Sequence, residues 1–215
     1  GRVVRHYVTL PEGWSSAQAV EILNKQAILT GTIDAIPDEA SLWPDTYEIS
    51  RGQTRASVIA RMRRAHDENL AALWARRGPN SVVRTPEEAV ILASVVEKET
   101  GVASERPRVA AVFLNRLRIG MPLQTDPTVI YGLGEAFDGN LRRVHLTTDT
   151  PYNTYTRAGL PPTPIAIPGT ASLMAAVQPM NTNSIYFVSR GDGSSQFSAT
   201  LEEHNAAVQR YILRR

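Results

Sequence analysis

Apolar residues recur at helical spacing through most of this chain and alternate in only a few short runs, so the pattern predicts a mainly helical protein with little sheet. Val58, Ile59, Met62, Leu70, Leu73 and Trp74 mark a long helix from Thr54 to about Arg77, ended by Gly78-Pro79-Asn80. Thr85-Pro86-Glu87-Glu88 then gives agreeing start signals: Thr85 as N-cap, Pro86 at the first helical position, Glu88 closing a capping box. That helix stops at Gly101. The next opens at Ser104, turns Val109, Val112, Phe113 and Leu117 inward, and closes at Gly120. A short loop joins the two, so they should lie as antiparallel neighbours.

Towards the start, residues 3–10 read as a strand, Pro11-Glu12-Gly13 turns, and Ser15 or Ser16 caps a helix carrying Ala19, Val20, Ile22 and Leu23. Residues 30–53 are loop-rich and hold Trp43 and Tyr47, so the boundary or hinge is expected there. Residues 121–168 show little regular structure. A loop that long is functional or disordered, and its aromatic and polar residues favour ordered and functional. A short helix over 170–178 follows, then a hairpin from 184–189 through Gly191-Asp192-Gly193-Ser194-Ser195 to 196–198. A helix capped by Thr200, with Leu201, Val208, Tyr211 and Ile212 inward, completes the chain. The expected class is α+β: a mainly helical domain over 41–215 with a small antiparallel hairpin and long ordered loops, preceded by a strand–helix unit and linker over 1–40.

Composition narrows the chemistry. Net charge is only +2, from 23 basic and 21 acidic residues, which argues against a nucleic-acid binder driven by phosphate contacts. The run Arg61, Arg63, Arg64 reads as a solvated helix face. There is no cysteine, hence no disulfide, thiolate ligand or cysteine nucleophile. His6, His66, His145 and His204 lack paired ligand spacing, so neither a metal nor another cofactor is expected. No apolar run is long enough to span a membrane. The chain opens directly on a strand-like segment without a signal peptide, as a truncated piece of a longer protein would.

Glu97 is the leading candidate for chemistry. Val90 and Ala93 lie seven and four residues before it, on the same helical face. A carboxylate facing a core loses hydration, which favours the protonated form that a general acid needs. Glutamates on partly apolar faces are nevertheless more often salt-bridged or turned to solvent. Glu99 lies about 200° further round the helix and should point nearer to solvent or cap a neighbour. Gln124, Thr125 and Asp126, in the loop after the neighbouring helix, should line the cleft beside Glu97, with Tyr152, Asn153 and Tyr155 nearby. Amides, hydroxyls and stacking aromatics suit sugar rings. The alternative is that Tyr152 and Tyr155 anchor a long loop and Asp126 caps a turn before Pro127. There is no phosphate-binding Gly-rich loop, and Ser94 has no nucleophile-elbow setting. Carboxylate acid–base chemistry on a glycan remains.

Several motifs in order carry a resemblance: Ala93-Ser94-Val95-Val96-Glu97-Lys98-Glu99-Thr100, Glu105-Arg106-Pro107, Val112-Phe113-Leu114-Asn115-Arg116-Leu117, Met121 through Gly132, Tyr152-Asn153-Thr154-Tyr155, Gly159-Leu160-Pro161-Pro162 and Glu203-His204-Asn205, with Trp43-Pro44-Asp45-Thr46-Tyr47 upstream. Together they resemble the endolytic murein transglycosylases, the YceG-like family, from about residue 40 to 215 and more weakly before that. The resemblance implies cleavage of peptidoglycan glycan strands between N-acetylmuramic acid and N-acetylglucosamine, with Glu97 as general acid and then base and a 1,6-anhydro product. It adds Asn115, Tyr131 and Glu99 to the substrate-contacting candidates, and gives Asp126 and Glu99 as candidates for charge stabilisation. It also implies a LysM-like remnant in the first residues, wall-synthesis enzymes as partners, and a single-pass inner-membrane anchor with the domain facing the periplasm; the anchor is absent from this chain. Two other readings stand beside it. One is a hydrolytic muramidase with Asp126 as second carboxylate, and the other a non-catalytic peptidoglycan-binding or scaffolding domain.

Overall fold

The computed structural model describes residues 5–213. Strand β1 (His6–Thr9) leads to helix α1 (Ser16–Asn24), whose capping box is made by Ser15 and Gln18. Strand β2 (Thr46–Ile49) pairs antiparallel with β1, His6 opposite Ile49. Helix α2 (Arg55–Trp74) starts on the Thr54 cap. Helix α3 (Pro86–Glu99) starts on Thr85, whose hydroxyl accepts the Glu88 N–H. The Glu88 carboxylate reaches back one residue further than a capping box requires, to the Arg84 N–H at 2.6 Å. A 3₁₀ turn, Ala103–Glu105, leads into α4 (Arg106–Arg118). Then come α5 (Asp126–Leu133), α6 (Arg143–Thr147) and α7 (Thr170–Val177). The hairpin of β3 (Tyr186–Ser189) and β4 (Ser195–Ser198) sets Tyr186 opposite Ser198. Helix α8 (Leu201–Val208) ends in a π turn, Gln209–Leu213.

Helix α3 is the centre. Ala89, Val90, Leu92, Ala93, Val95 and Val96 are all buried, too many for one stripe, as expected of a helix covered on most sides. It packs on α4 and α7, and Phe113, Leu123, Ile165, Leu173 and Phe197 fill the same core. A second apolar cluster joins Val8, Leu10, Leu23 and Leu29 to Leu42, Ile49, Val58 and Met62. Residues on both sides of the expected 40/41 boundary therefore share one sheet and one cluster.

Three expectations need correction. Residues 30–53 are not all loop, because β2 finds its partner in β1, far away in sequence. Residues 121–168 contain α5 and α6; Asp126 and Pro127 in the first turn are the start signals of α5. In α8, Leu201 is 56% exposed and Ile212 45%, and only Ala207 is buried, so the last helix does not present the predicted apolar face inward. Of the predicted strand over 3–10, residues 3 and 4 lie outside the described residues.

Candidate active site

The two glutamates at the end of α3 look into different surroundings. The Glu97 side chain is 6% exposed. One oxygen accepts from Arg106 Nη2 at 2.9 Å; the other accepts from the Gly169 N–H at 3.0 Å and the Ser172 hydroxyl at 2.6 Å. Gly169 is the N-cap of α7, so Glu97 supplies the anion that this helix start attracts. Each of the three partners donates to the carboxylate, so both oxygens are engaged. The carboxylate of Glu12 lies over Gly169, where burial and then the Glu97 charge push its pKa up, against the pull of Arg106. Glu97 thus fastens α3, α4 and α7 together.

Glu99 has the environment expected of Glu97. Burial raises its pKa above the ordinary glutamate value; the Thr125 hydroxyl bond lowers it, the Asp126 charge raises it, and the Arg116 charge lowers it. One oxygen accepts from the Thr125 hydroxyl at 2.5 Å. The other has no hydrogen-bond partner among the described residues. Glu99 borders a depression of about 320 Å³ with Val102, Val109, Phe187, Ser189 and Ser194. Of the two expectations for Glu99, solvent or the capping of a neighbour, its surroundings are nearer the second: it bonds Thr125, the N-cap residue of α5, and the β3–β4 hairpin lies beside it.

The loops expected beside Glu97 meet near Glu99 instead. The Gln124 N–H donates to the Thr154 carbonyl at 3.0 Å, and the Thr125 N–H to the Thr154 hydroxyl at 3.1 Å. Thr128 and Thr154 share a hydroxyl bond at 2.8 Å. Gln124 itself is exposed and sits at φ 50°, a left-handed backbone unusual outside glycine. The Tyr155 hydroxyl donates to Asp126 at 2.5 Å; burial and then that bond hold its pKa well above the ordinary tyrosine value.

Four other candidates are committed to structure. Asn153 is buried; its amide N–H groups donate to the carbonyls of His145, Leu146 and Thr148 and its oxygen accepts the Tyr155 N–H, so it closes the end of α6 rather than facing a ligand. Asn115 donates to the carbonyls of Thr182 and Ser184 and lines a different depression, with Asn80 and Arg118. Tyr131 donates to Glu39 at 3.2 Å, and burial, then the Glu39 charge, push its pKa up to about 12. Its ring meets that of Tyr152 edge-on at 5.1 Å, and Tyr152 bonds Thr163. This pair anchors α5 to the segment before β2.

Arg116 has no role in the sequence pattern read above, while the Thr154 hydroxyl belongs to the loop read as sugar-suited. Arg116 stands seven residues after Val109 on the apolar stripe of α4, and a charged residue in that position was a readable signal. Among the described residues no cluster of His, Cys, Asp and Glu could hold a metal ion, and no helix is long and apolar enough to cross a membrane.

Fold and site together define a class: an α+β domain that holds a desolvated carboxylate in a depression walled by ordered loops and a hairpin. A profile of the YceG-like family matches residues 1–210, and the chain belongs to that family. It is 37% identical over 177 residues to an endolytic murein transglycosylase of Bacillus subtilis, covering 82% of this chain and 48% of that protein. It is 30% identical over 186 residues to the endolytic murein transglycosylase of Streptococcus pneumoniae, covering 81% of this chain and 32% of that protein. The chain spans about half the length of the first relative and a third of the second. A crystal structure of a yceG-like protein from Listeria monocytogenes matches 93% of this chain and 75% of its own, with a TM-score of 0.77 at 30% identity.

Proposed function

We propose that this domain is an endolytic lytic transglycosylase of peptidoglycan and that its acid is Glu99, not Glu97. One observation carries the assignment: Glu99 is desolvated, has one oxygen without a protein partner, and borders an open depression, whereas both oxygens of Glu97 are taken. The names of the relatives support the substrate class.

Protonated Glu99 gives its proton to the oxygen linking N-acetylmuramic acid to N-acetylglucosamine. The C1–O bond breaks, the N-acetylglucosamine leaves with a new hydroxyl, and an oxocarbenium-like centre remains. The C6 hydroxyl of the same muramic residue attacks C1, and its proton returns to Glu99. Protons balance, no water is consumed, and the nucleophile is tethered, so one carboxyl group suffices. Asp126, bonded to the Tyr155 hydroxyl, acts on Glu99 through its charge.

Mass spectrometry of peptidoglycan digests tests this. The expected ends are 1,6-anhydro-muramic, lighter than hydrolysed ends by one water, and Glu99→Gln should not produce them. Reducing ends alone would favour the muramidase, for which Asp126 is the second carboxylate, its charge already acting on Glu99. A Glu99→Gln variant that keeps full biological function would favour a binding or scaffolding role. The same reading puts the domain on the wall-facing side of the inner membrane with wall-synthesis enzymes near it, which fractionation and cross-linking of the native protein would check.

A further inference from the structure

Arg116 is a buried cation without a carboxylate partner. Its exposure is 7%, and no acidic group lies within salt-bridge distance among the described residues. A charge in such a place is costly unless something compensates it. Backbone carbonyls do part of this: Nε donates to Ile185 at 2.7 Å and Nη1 to Leu123 at 2.7 Å. Neither carbonyl lines the Glu99 depression itself, but both flank it: β3, just after Ile185, supplies Phe187 and Ser189 to its lining, and Thr125, two residues after Leu123, bonds Glu99.

The guanidinium is also held from behind. It lies 5.5 Å from the centre of the Tyr186 ring, and Tyr186 stacks on His204 at 5.0 Å with 19° between the planes. Burial and then the Arg116 charge lower the His204 pKa, which disfavours a second cation at the back of the stack. Nη2 has no protein acceptor among the described residues.

We propose that Arg116 is a positioning residue for the reaction: it stabilises the carboxylate that Glu99 becomes after giving up its proton, and the Tyr186–His204 stack fixes it there. This rests on Glu99 being the acid. A desolvated carboxyl holds its proton well but is a poor anion, and a fixed cation offsets the second property. The charged and titratable groups that act on Glu99 are Asp126, Tyr155 and, from α4, Arg116, with Lys98 and Glu97 on its own helix turned elsewhere. Arg116 is the cation among those groups.

The test titrates the Glu99 carboxyl carbon by NMR in the intact protein, the signal being assigned by its disappearance in Glu99→Gln. Arg116→Gln should raise the Glu99 pKa by about half a unit to one unit, and Arg116→Lys should raise it less. The falling limb of the pH–kcat/KM profile should move to higher pH by the same amount. Tyr186→Leu keeps both carbonyl bonds and should shift the limb in the same direction by less, which covers the case of an Arg116→Gln protein that does not fold. A wall-bracing role alone would lower melting temperature and activity at every pH and leave the titration in place; that result overturns the proposal. Glu99→Gln retaining activity would instead overturn the assignment of the acid, with the NMR shift still readable.

Discussion

Glu97→Gln separates the two glutamates most sharply. The side chain keeps its shape, but its three partners are all donors. If the new amide nitrogen faces Arg106, two donors meet and the guanidinium, only 12% exposed, loses its anion. If it faces the other way, Ser172 can turn to accept, but the Gly169 N–H at the start of α7 is left unpaired. Either choice leaves a buried donor unsatisfied and removes a charge-assisted bond, which together cost about 2–4 kcal/mol. For a domain of this size about 1 kcal/mol moves the melting temperature by about 2–4 °C, so a drop of roughly 4–16 °C is expected. Thermal or urea unfolding measures it, and peptidoglycan cleavage well below the new midpoint measures activity, which should persist. A Glu97→Gln protein that melts with the wild type yet loses about 10²-fold or more of its rate would refute the reasoning and return the acid to Glu97.

Glu99→Gln should stay folded and inactive. Because the Glu99 pKa is raised in the fold, its contribution to stability is full below the ordinary value of 4.5 and is lost as pH rises through the folded value. Gln lacks that loss, so urea midpoints should show the variant gaining on the wild type as pH rises above the ordinary value of 4.5; a constant difference would contradict a raised pKa. Asn153→Ala should lose about 1–3 kcal/mol, since three carbonyls at the end of α6 lose a common donor. Should it melt normally and bind glycan weakly, Asn153 contacts substrate after all.

The helices were legible because their signals are local: Thr54, Thr85 and Thr200 cap where the sequence said they would. β2 was not, because a four-residue strand is defined by its partner, and β1 lies some forty residues earlier. The convergence of Thr125 and Tyr155 was readable from loop chemistry. The choice between Glu97 and Glu99 was not. Apolar neighbours show that a face is covered, but not whether donors or a depression cover it. The Gly169 N–H and the Ser172 hydroxyl, which decide Glu97's fate, come from a helix more than seventy residues on. The Tyr131–Tyr152 pair shows the same limit, since an aromatic that stacks on sugar and one that anchors a loop look alike in sequence.

The fastening of Glu97 has a mechanical consequence. It acts as a key in a slot and sets the rotation of α3 about its own axis. Side-chain ends on a helix ride at a radius of about 5–6 Å, so a turn of about 10° would swing the Glu99 carboxyl by about 1 Å. Displacements of that size can cost an enzyme about 10²-fold in rate. On the proposed assignment, a residue with both oxygens engaged by protein donors would then govern the aim of the acid. Shortening it, as in Glu97→Ala, would leave the acid chemically intact and pointed at the wrong atom.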